Sequence, residues 1–213
     1  MIFQKVLKGI SGVDDSTADY ILTERGIICN WWRKIGTMPI VAVRDKLTER
    51  NYYWHVNRYS DIDPTTGRPF SEDTPFISTT AGTFQPNVFW QRNVLYSAYS
   101  TALRFATNHL KQSGYIFYCY LMILDKQAIE YRQFAEEARD INVYSQFYRF
   151  QWQGEITAKI NIPVVQIEKY EMHEINDVRR AIASGTPIRP SRTNLNPYYI
   201  PPEEYSNIRN FLP

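Results

Sequence analysis

Residues 153–167 read QGEITAKINIPVVQI, and this stretch carries most of the information on the fold. From Glu155 onward, polar and apolar residues alternate along EITAKI, which predicts a half-buried β-strand. Gln153 stands two residues before Glu155, so both side chains project from the same face of such a strand. The sequence therefore predicts an amide and a carboxylate directed toward one site.

Segments upstream of this strand predict the elements around it. The run TPFISTT at 74–80 is typical of a strand. Residues 94–110 carry apolar side chains at helical spacing, and YIFYCYLMIL at 115–124 is continuously apolar, as expected for a strand covered on both faces. Shorter predicted elements are strands at 39–43 and 52–56, a helix between Ser16 and Gly26, and a helix near 126–131.

The composition indicates one globular domain and excludes several classes of protein. The 213 residues are 44% hydrophobic, enough for a sizeable core, and the formal net charge of +2 does not indicate a nucleic-acid or membrane partner. No apolar run reaches the roughly 18 residues that cross a bilayer, and the first residues lack a signal-peptide pattern, so we expect a cytoplasmic protein. The three histidines and two cysteines lack metal-ligand spacing, so no metal is expected.

QGEITAK and the IPVVQI that follows resemble the Q/E-x-E strand and the I-P-x-x-Q-I segment of cholera-toxin-like mono-ADP-ribosyltransferases. FISTT at 76–80 is similar to the Ser-Thr-Ser motif of that family, ALRFA at 102–106 to the helix after it, and 114–124 to its aromatic strand. The order along the chain also matches. The resemblance implies an α+β fold, in which two packed, mainly antiparallel small sheets form an NAD+ cleft with flanking helices.

The resemblance also sets the expected domain organisation. It covers about residues 52–170, which would be the catalytic core of a single domain spanning residues 1–213. Residues before about 50 would form an N-terminal extension with a helix. Six of the twelve prolines lie in the last 28 residues, so about 186–213 is predicted to be an extended arm.

The resemblance implies an enzyme that splits NAD+ and transfers its ADP-ribose. Losing nicotinamide leaves an oxocarbenium-like cation, which a fixed carboxylate stabilises, and Glu155 is the residue for that role. Ser78 would orient Glu155, and Gln153 would face the acceptor. Each residue also has an ordinary structural interpretation, since a lone glutamate on an alternating strand commonly faces solvent.

The basic residue on the first strand of the family has two candidates here. YYWHVNR at 52–58 offers His55, and Arg44 in VAVRD is the rival; we rank His55 first, as a contact for the adenosine side of NAD+. A buried structural histidine is the alternative. The cofactor-binding set implied by the resemblance is His55, Ser78, Thr79, Thr80 and Arg58.

An aromatic run with one arginine precedes the catalytic strand, YSQFYRFQWQ at 144–153. Aromatic rings and a guanidinium can stack on a splayed nucleobase, although alternate rings could instead pack inward. The acceptor-binding residues predicted from this run are Tyr148, Arg149, Phe150 and Trp152. In the Q-x-E branch of the family, the acceptor is either a nucleic-acid base or an amino-acid side chain other than arginine, so we favour RNA.

Two other functions remain open at this point. A protein-directed mono-ADP-ribosyltransferase fits the same motifs, and so does a catalytically silent module that binds NAD+ or RNA. Because a signal peptide is missing, we expect an intracellular toxin, with an antitoxin protein as partner and a role in defence against phage.

Overall fold

The computed structural model describes residues 2–35, 45–81, 98–123, 138–140 and 155–204. The strands are β1 (Ile2–Ser11), β2 (Ile27–Ile28), β3 (Ile62–Asp63), β4 (Arg68–Pro69), β5 (Phe76–Thr80), β6 (Gly114–Ile123), β7 (Ala138–Asp140), β8 (Glu155–Lys159), β9 (Asn161–Ile162), β10 (Ile167–His173) and β11 (Arg192–Leu195). The helices are α1 (Asp15–Tyr20), a π-helix (Ile21–Arg25), α2 (Asn30–Ile35), α3 (Glu49–Asn57), α4 (Ala98–Ala106) and α5 (Ile175–Ser184), with 3-10 turns at Phe70–Glu72 and Val164–Gln166. The predicted α+β class is confirmed.

The main sheet has the strand order β11-β10-β6-β1-β5-β8-β7, and the neighbouring strands in it are antiparallel. β1 and β6 pair along their full lengths, whereas β1 and β5 meet at a single described pair, Leu7 opposite Thr80. The sheet thus consists of two antiparallel halves with a narrow junction. These two halves correspond to the two small sheets that we expected. Two separate two-stranded sheets, β2–β9 and β3–β4, are also present.

β1 corrects the predicted domain boundary. It lies at the centre of the sheet, between β5 and β6, so the first residues are part of the main sheet and not an extension before it. The pairing partners of β1 lie about 70 to 120 residues away along the chain. Such pairing is set by long-range contacts, which a local sequence pattern does not reveal.

The strand predicted at 52–56 is also wrong, because these residues lie in helix α3. The side chain of Thr48 accepts a hydrogen bond from the backbone N–H of Asn51, which satisfies one of the free donors at the start of the helix. The buried residues His55 and Val56 follow the buried Tyr52 by three and four positions, as one helical face requires. Aromatic content suggested a strand, but the N-cap and the spacing of buried residues decide for a helix.

Two apolar clusters flank the main sheet. One contains Val6, Phe117 and Tyr170, and the other packs α4 and α5 against Leu7 and Ile116. Two glycines allow α4 to lie close to the sheet: a Cβ at Gly9 would collide with the carbonyl oxygen of Ala102, and one at Gly114 with that of Ala106. The helix therefore rests directly on β1 and β6.

The segment predicted as a C-terminal arm is partly integrated into the sheet. β11 pairs with β10, and the buried Asn196 donates hydrogen bonds to the carbonyl oxygens of Val164 and Ile167 at 2.8 and 2.7 Å. Within the described ranges, no helix is long and apolar enough to cross a membrane.

Candidate active site

Strands β5 and β8 bring the two predicted motifs side by side. Thr80 lies opposite Glu155, and Ser78 lies opposite Thr157. Alternation along β5 gives Phe76, Ser78 and Thr80 a common face. The side chain of Glu155 is 11% exposed, so this carboxylate is largely withdrawn from water while remaining accessible from one side.

His55 reaches the same face of β5 from helix α3. Its Nε2 lies 2.9 Å from Ser78 Oγ and 3.7 Å from Glu155 Oε1, and its Nδ1 lies 2.8 Å from Thr74 Oγ1. The ring also packs against Phe76, with centroids 5.6 Å apart. The buried imidazole is thus held on both nitrogens, and it sits between a hydroxyl and the carboxylate.

The hydrogen-bond partners of His55 fix the orientation of its ring. Thr74 Oγ1 also accepts the backbone N–H of Phe76, and its hydroxyl hydrogen can be donated to Nδ1. In that arrangement the imidazole proton is on Nε2 and points toward Ser78 Oγ and Glu155. The ring is thereby held with Nε2 against Ser78 Oγ and 3.7 Å from Glu155 Oε1.

Two predicted cofactor contacts are not part of this cluster. Thr79 Oγ1 donates to the carbonyl oxygen of Ile156 at 2.6 Å, so its hydroxyl is used within the sheet. Arg58 follows α3 and lies against the Trp54 ring, 5.5 Å from its centroid and 3.8 Å from Asp61 Oδ2. The structure therefore assembles His55, Ser78 and Glu155 with Thr80 beside them, and places Arg58 on the surface.

The remaining predicted residues lie outside the described residues. They are Arg44, Gln153, Tyr148, Arg149, Phe150 and Trp152. Their roles stay predictions.

Lys8 on β1 is a residue that the sequence reasoning missed. Burial lowers the pKa of its ammonium group, while the nearby carboxylate of Glu155 and the thiol of Cys119 act in the opposite direction. His55 lies on a helix, so the basic residue that the first strand carries near Glu155 is Lys8. A lysine within the otherwise apolar run from Val6 to Ile10 was the available signal.

Tyr59 was also missed, and it forms a wall of the site. Its ring stands perpendicular to that of His55, with centroids 5.6 Å apart, and the residue is 42% exposed. Burial of the hydroxyl raises the pKa of Tyr59, a hydrogen bond with Asn30 lowers it, and the charge of Glu155 raises it. The hydroxyl thus lies near Glu155, and the ring offers an accessible aromatic edge.

The site combines groups that suit NAD+ chemistry. Glu155 is a shielded carboxylate in a fixed position, Lys8 is a cation that can attract a diphosphate, and Tyr59 is an aromatic wall. Among the described residues there is no cluster of His, Cys, Asp and Glu that could hold a metal ion.

Comparisons with known proteins give fold-level similarity to toxins. No family model and no curated protein matches the sequence. Three solved structures are similar: EcPltA (TM-score 0.47, 13% identity, 93% of this chain and 88% of that one), a heat-labile enterotoxin double mutant (0.44, 15%, 95% and 65%) and nicked CARDS toxin (0.42, 13%, 92% and 31%). With TM-scores below 0.5, these similarities identify neither a family nor an activity for this chain.

Proposed function

We propose that the chain is an NAD+-dependent mono-ADP-ribosyltransferase. The observation that carries this proposal is the cluster of Glu155, Ser78 and His55 on adjoining elements, with the carboxylate 3.7 Å from a buried imidazole. Its members come from the two motifs and the histidine that the resemblance implied, which lie far apart along the chain. The remaining steps follow from the chemistry of NAD+.

Glu155 would act on the ribose that carries nicotinamide. The bond between C1′ and the pyridinium nitrogen breaks, its electron pair leaves with nicotinamide as a neutral molecule, and the ribose carries the positive charge. A carboxylate placed beside this cation lowers the barrier, and loss of one such contact typically costs about 3 to 4 kcal/mol. An acceptor nucleophile then bonds to C1′ and releases a proton.

Ser78, His55 and Lys8 would support that step in different ways. Ser78 and His55 would act as positioning residues, because they form a hydrogen-bonded pair beside the carboxylate, with His55 Nε2 3.7 Å from Glu155 Oε1. The ammonium of Lys8 lies near Glu155 and can attract the diphosphate of NAD+. Thr80, opposite Glu155 on β5, offers a further hydroxyl on this face.

We infer that the acceptor is a nucleic-acid base, with RNA favoured. Gln153 supports this, since a glutamine in place of the first glutamate of the motif implies an acceptor other than arginine. The aromatic run at 144–153 supports it through base stacking. The setting we propose is an intracellular toxin that an antitoxin restrains, acting in the cytoplasm and in defence against phage.

Incubation with NAD+ labelled in the adenylate, in a cell lysate, tests the acceptor. The products are divided between nuclease and protease digestion. We expect that nuclease releases the label from the macromolecular products and that protease does not. Label that survives nuclease and is lost with protease would identify a protein acceptor and refute the RNA proposal.

A further inference from the structure

Two arginines at the edge of the site have no acidic partner among the described residues. Arg25 ends the π-helix, and Arg33 lies on α2. The adjacent Lys34, in contrast, pairs with Glu72 at 2.9 Å. Arg33 donates only to the neutral amide oxygen of Asn30, at 3.0 Å, and the Nε of Arg25 is buried without a hydrogen bond in the described part of the chain.

Asn30 connects Arg33 to the wall of the site. Its Nδ2 donates to the carbonyl oxygen of Ser71 at 2.7 Å, and the backbone N–H of Ser71 donates to the carbonyl oxygen of Tyr59 at 2.7 Å. Tyr59 in turn contacts the His55 ring. Arg33 is therefore linked to Tyr59 through Asn30 and Ser71.

Arg25 and Arg33 lie close enough to repel each other. Burial lowers the pKa of Arg25, and the charge of Arg33 lowers it further. The Arg25 guanidinium also lies 5.5 Å from the centroid of the Tyr20 ring, which limits where its charge can move. Two like charges that form no ion pair with a carboxylate among the described residues repel each other, and a bound anion would relieve this repulsion.

We propose that Arg25, Arg33 and Tyr59 form a rim that binds the single-stranded RNA acceptor, with phosphodiesters on the two guanidinium groups and an unpaired base on the tyrosine ring. This inference rests on the proposed function and adds the surface that holds the acceptor. Guanidinium groups match phosphate oxygens through paired donors, and an accessible ring beside them suits single strands of any sequence.

The position of the rim favours the acceptor over NAD+. Lys8 already supplies a cation beside Glu155, on the inner side of the site. Arg33 is exposed, whereas the side chain of Glu155 is largely buried. A macromolecule that approaches from solvent therefore meets Arg33 before it reaches Glu155. With a net charge of only +2, the whole chain offers little general attraction, so two local phosphate contacts would matter.

The test measures RNA binding at several salt concentrations by fluorescence anisotropy. The probe is fluorescein-labelled oligouridine, and the protein is the full chain carrying Glu155→Gln, which removes turnover. Arg25→Gln and Arg33→Gln are each expected to weaken binding about tenfold at low salt and to reduce the slope of log K against log salt by about 0.7. Tyr59→Leu should weaken binding without changing this slope.

Matched controls separate the rim from general charge and exposure. Lys34→Gln removes a neighbouring cation that is paired with Glu72, and Arg180→Gln removes an exposed arginine on α5. Tyr53→Leu removes a similarly exposed tyrosine from α3. These variants should bind oligouridine like the parent, and thermal unfolding shows whether each variant is folded.

Three results would overturn the rim, and one result separates it from the proposed function. The first is an equal loss of oligouridine affinity in Lys34→Gln, and the second is unchanged binding in both arginine variants. The third is a tenfold rise in the KM for NAD+ when the arginine substitutions are made in the active chain, which would place the arginines on the NAD+ diphosphate. If the parent chain consumes no NAD+ but the two arginine substitutions weaken oligouridine binding, the proposed function is refuted and the rim stands as an RNA-binding surface.

Discussion

Replacing Glu171 with glutamine should destabilise the protein, because Glu171 is the centre of a buried polar cluster on β10. Its Oε1 accepts a hydrogen bond from Lys169 Nζ at 2.7 Å, and its Oε2 accepts one from the Tyr118 hydroxyl at 2.8 Å. His173 Nε2 lies 3.8 Å from the same Oε2 and also contacts the Tyr99 hydroxyl at 3.2 Å. The carboxylate is therefore surrounded by donors.

The size of the effect follows from the proton affinity of this carboxyl group. Burial alone would raise the pKa of Glu171, but hydrogen bonds from His173, Lys169 and Tyr118 outweigh it and lower the pKa to about 2. Its ordinary value is 4.5. A tenfold change in proton affinity corresponds to about 1.4 kcal/mol, so the ionised group stabilises the folded state by about 3 kcal/mol at neutral pH.

Chemical and thermal unfolding of Glu171→Gln would measure this contribution. Because the folded-state pKa is depressed, the stabilisation is complete above about pH 5 and is lost as the pH falls toward 2. We expect the variant to lose about 3 kcal/mol at pH 7, or roughly 6–12 °C in Tm, and to approach the parent near pH 2. Glu24→Gln, at an exposed position, is the control. A loss below about 1 kcal/mol, or one independent of pH, would refute the reasoning.

Three further predictions concern the site. His55→Ala should lower kcat/KM for NAD+ hydrolysis by about 10²-fold because Glu155 loses its support, whereas Arg58→Ala should change it little; equal effects would contradict this. Lys8→Arg should move the alkaline loss of NAD+ affinity to higher pH, since burial lowers the pKa of the lysine and an arginine stays charged; an unchanged pH profile would remove Lys8 from binding. Ser78→Ala should impair activity with little loss of stability, and Thr79→Val should cost about 1 kcal/mol of stability with little loss of activity, as kinetics and denaturant unfolding would show.

Local patterns predicted the strands that carry the motifs. The runs at 74–80, 115–124 and 155–160 correspond to β5, β6 and β8, because alternation and continuous apolarity reflect the faces that each strand buries. The helix predicted at 94–110 corresponds to α4, which ends at Ala106, so residues 107–110 were wrongly included; residues 94–97 lie outside the described residues. The secondary structure of these elements depends on residues close together in the chain, so the sequence alone is sufficient to predict it.

Contacts between segments that are distant along the chain could not be predicted from local sequence patterns. β1 takes its place at the centre of the sheet through partners far along the chain, and this placement brings Lys8 near Glu155. Tyr59 reaches the site because His55 is on the buried face of α3 and Tyr59, shortly after the end of that helix, contacts its ring. The pair Ser78 and Glu155 was predicted through motifs, whereas the residues around it depend on packing.

The consumption of NAD+ by Glu155→Gln, compared with the parent protein, is the most direct test of the account. The substitution keeps the shape of the side chain and removes the charge that would stabilise the ribose cation, so a folded variant should lose at least about 10²-fold in kcat. Denaturant unfolding would establish that the fold is retained. A folded Glu155→Gln protein that consumes NAD+ at nearly the parent rate, or a parent protein that consumes none, would contradict the assignment of this site to ADP-ribosyl transfer.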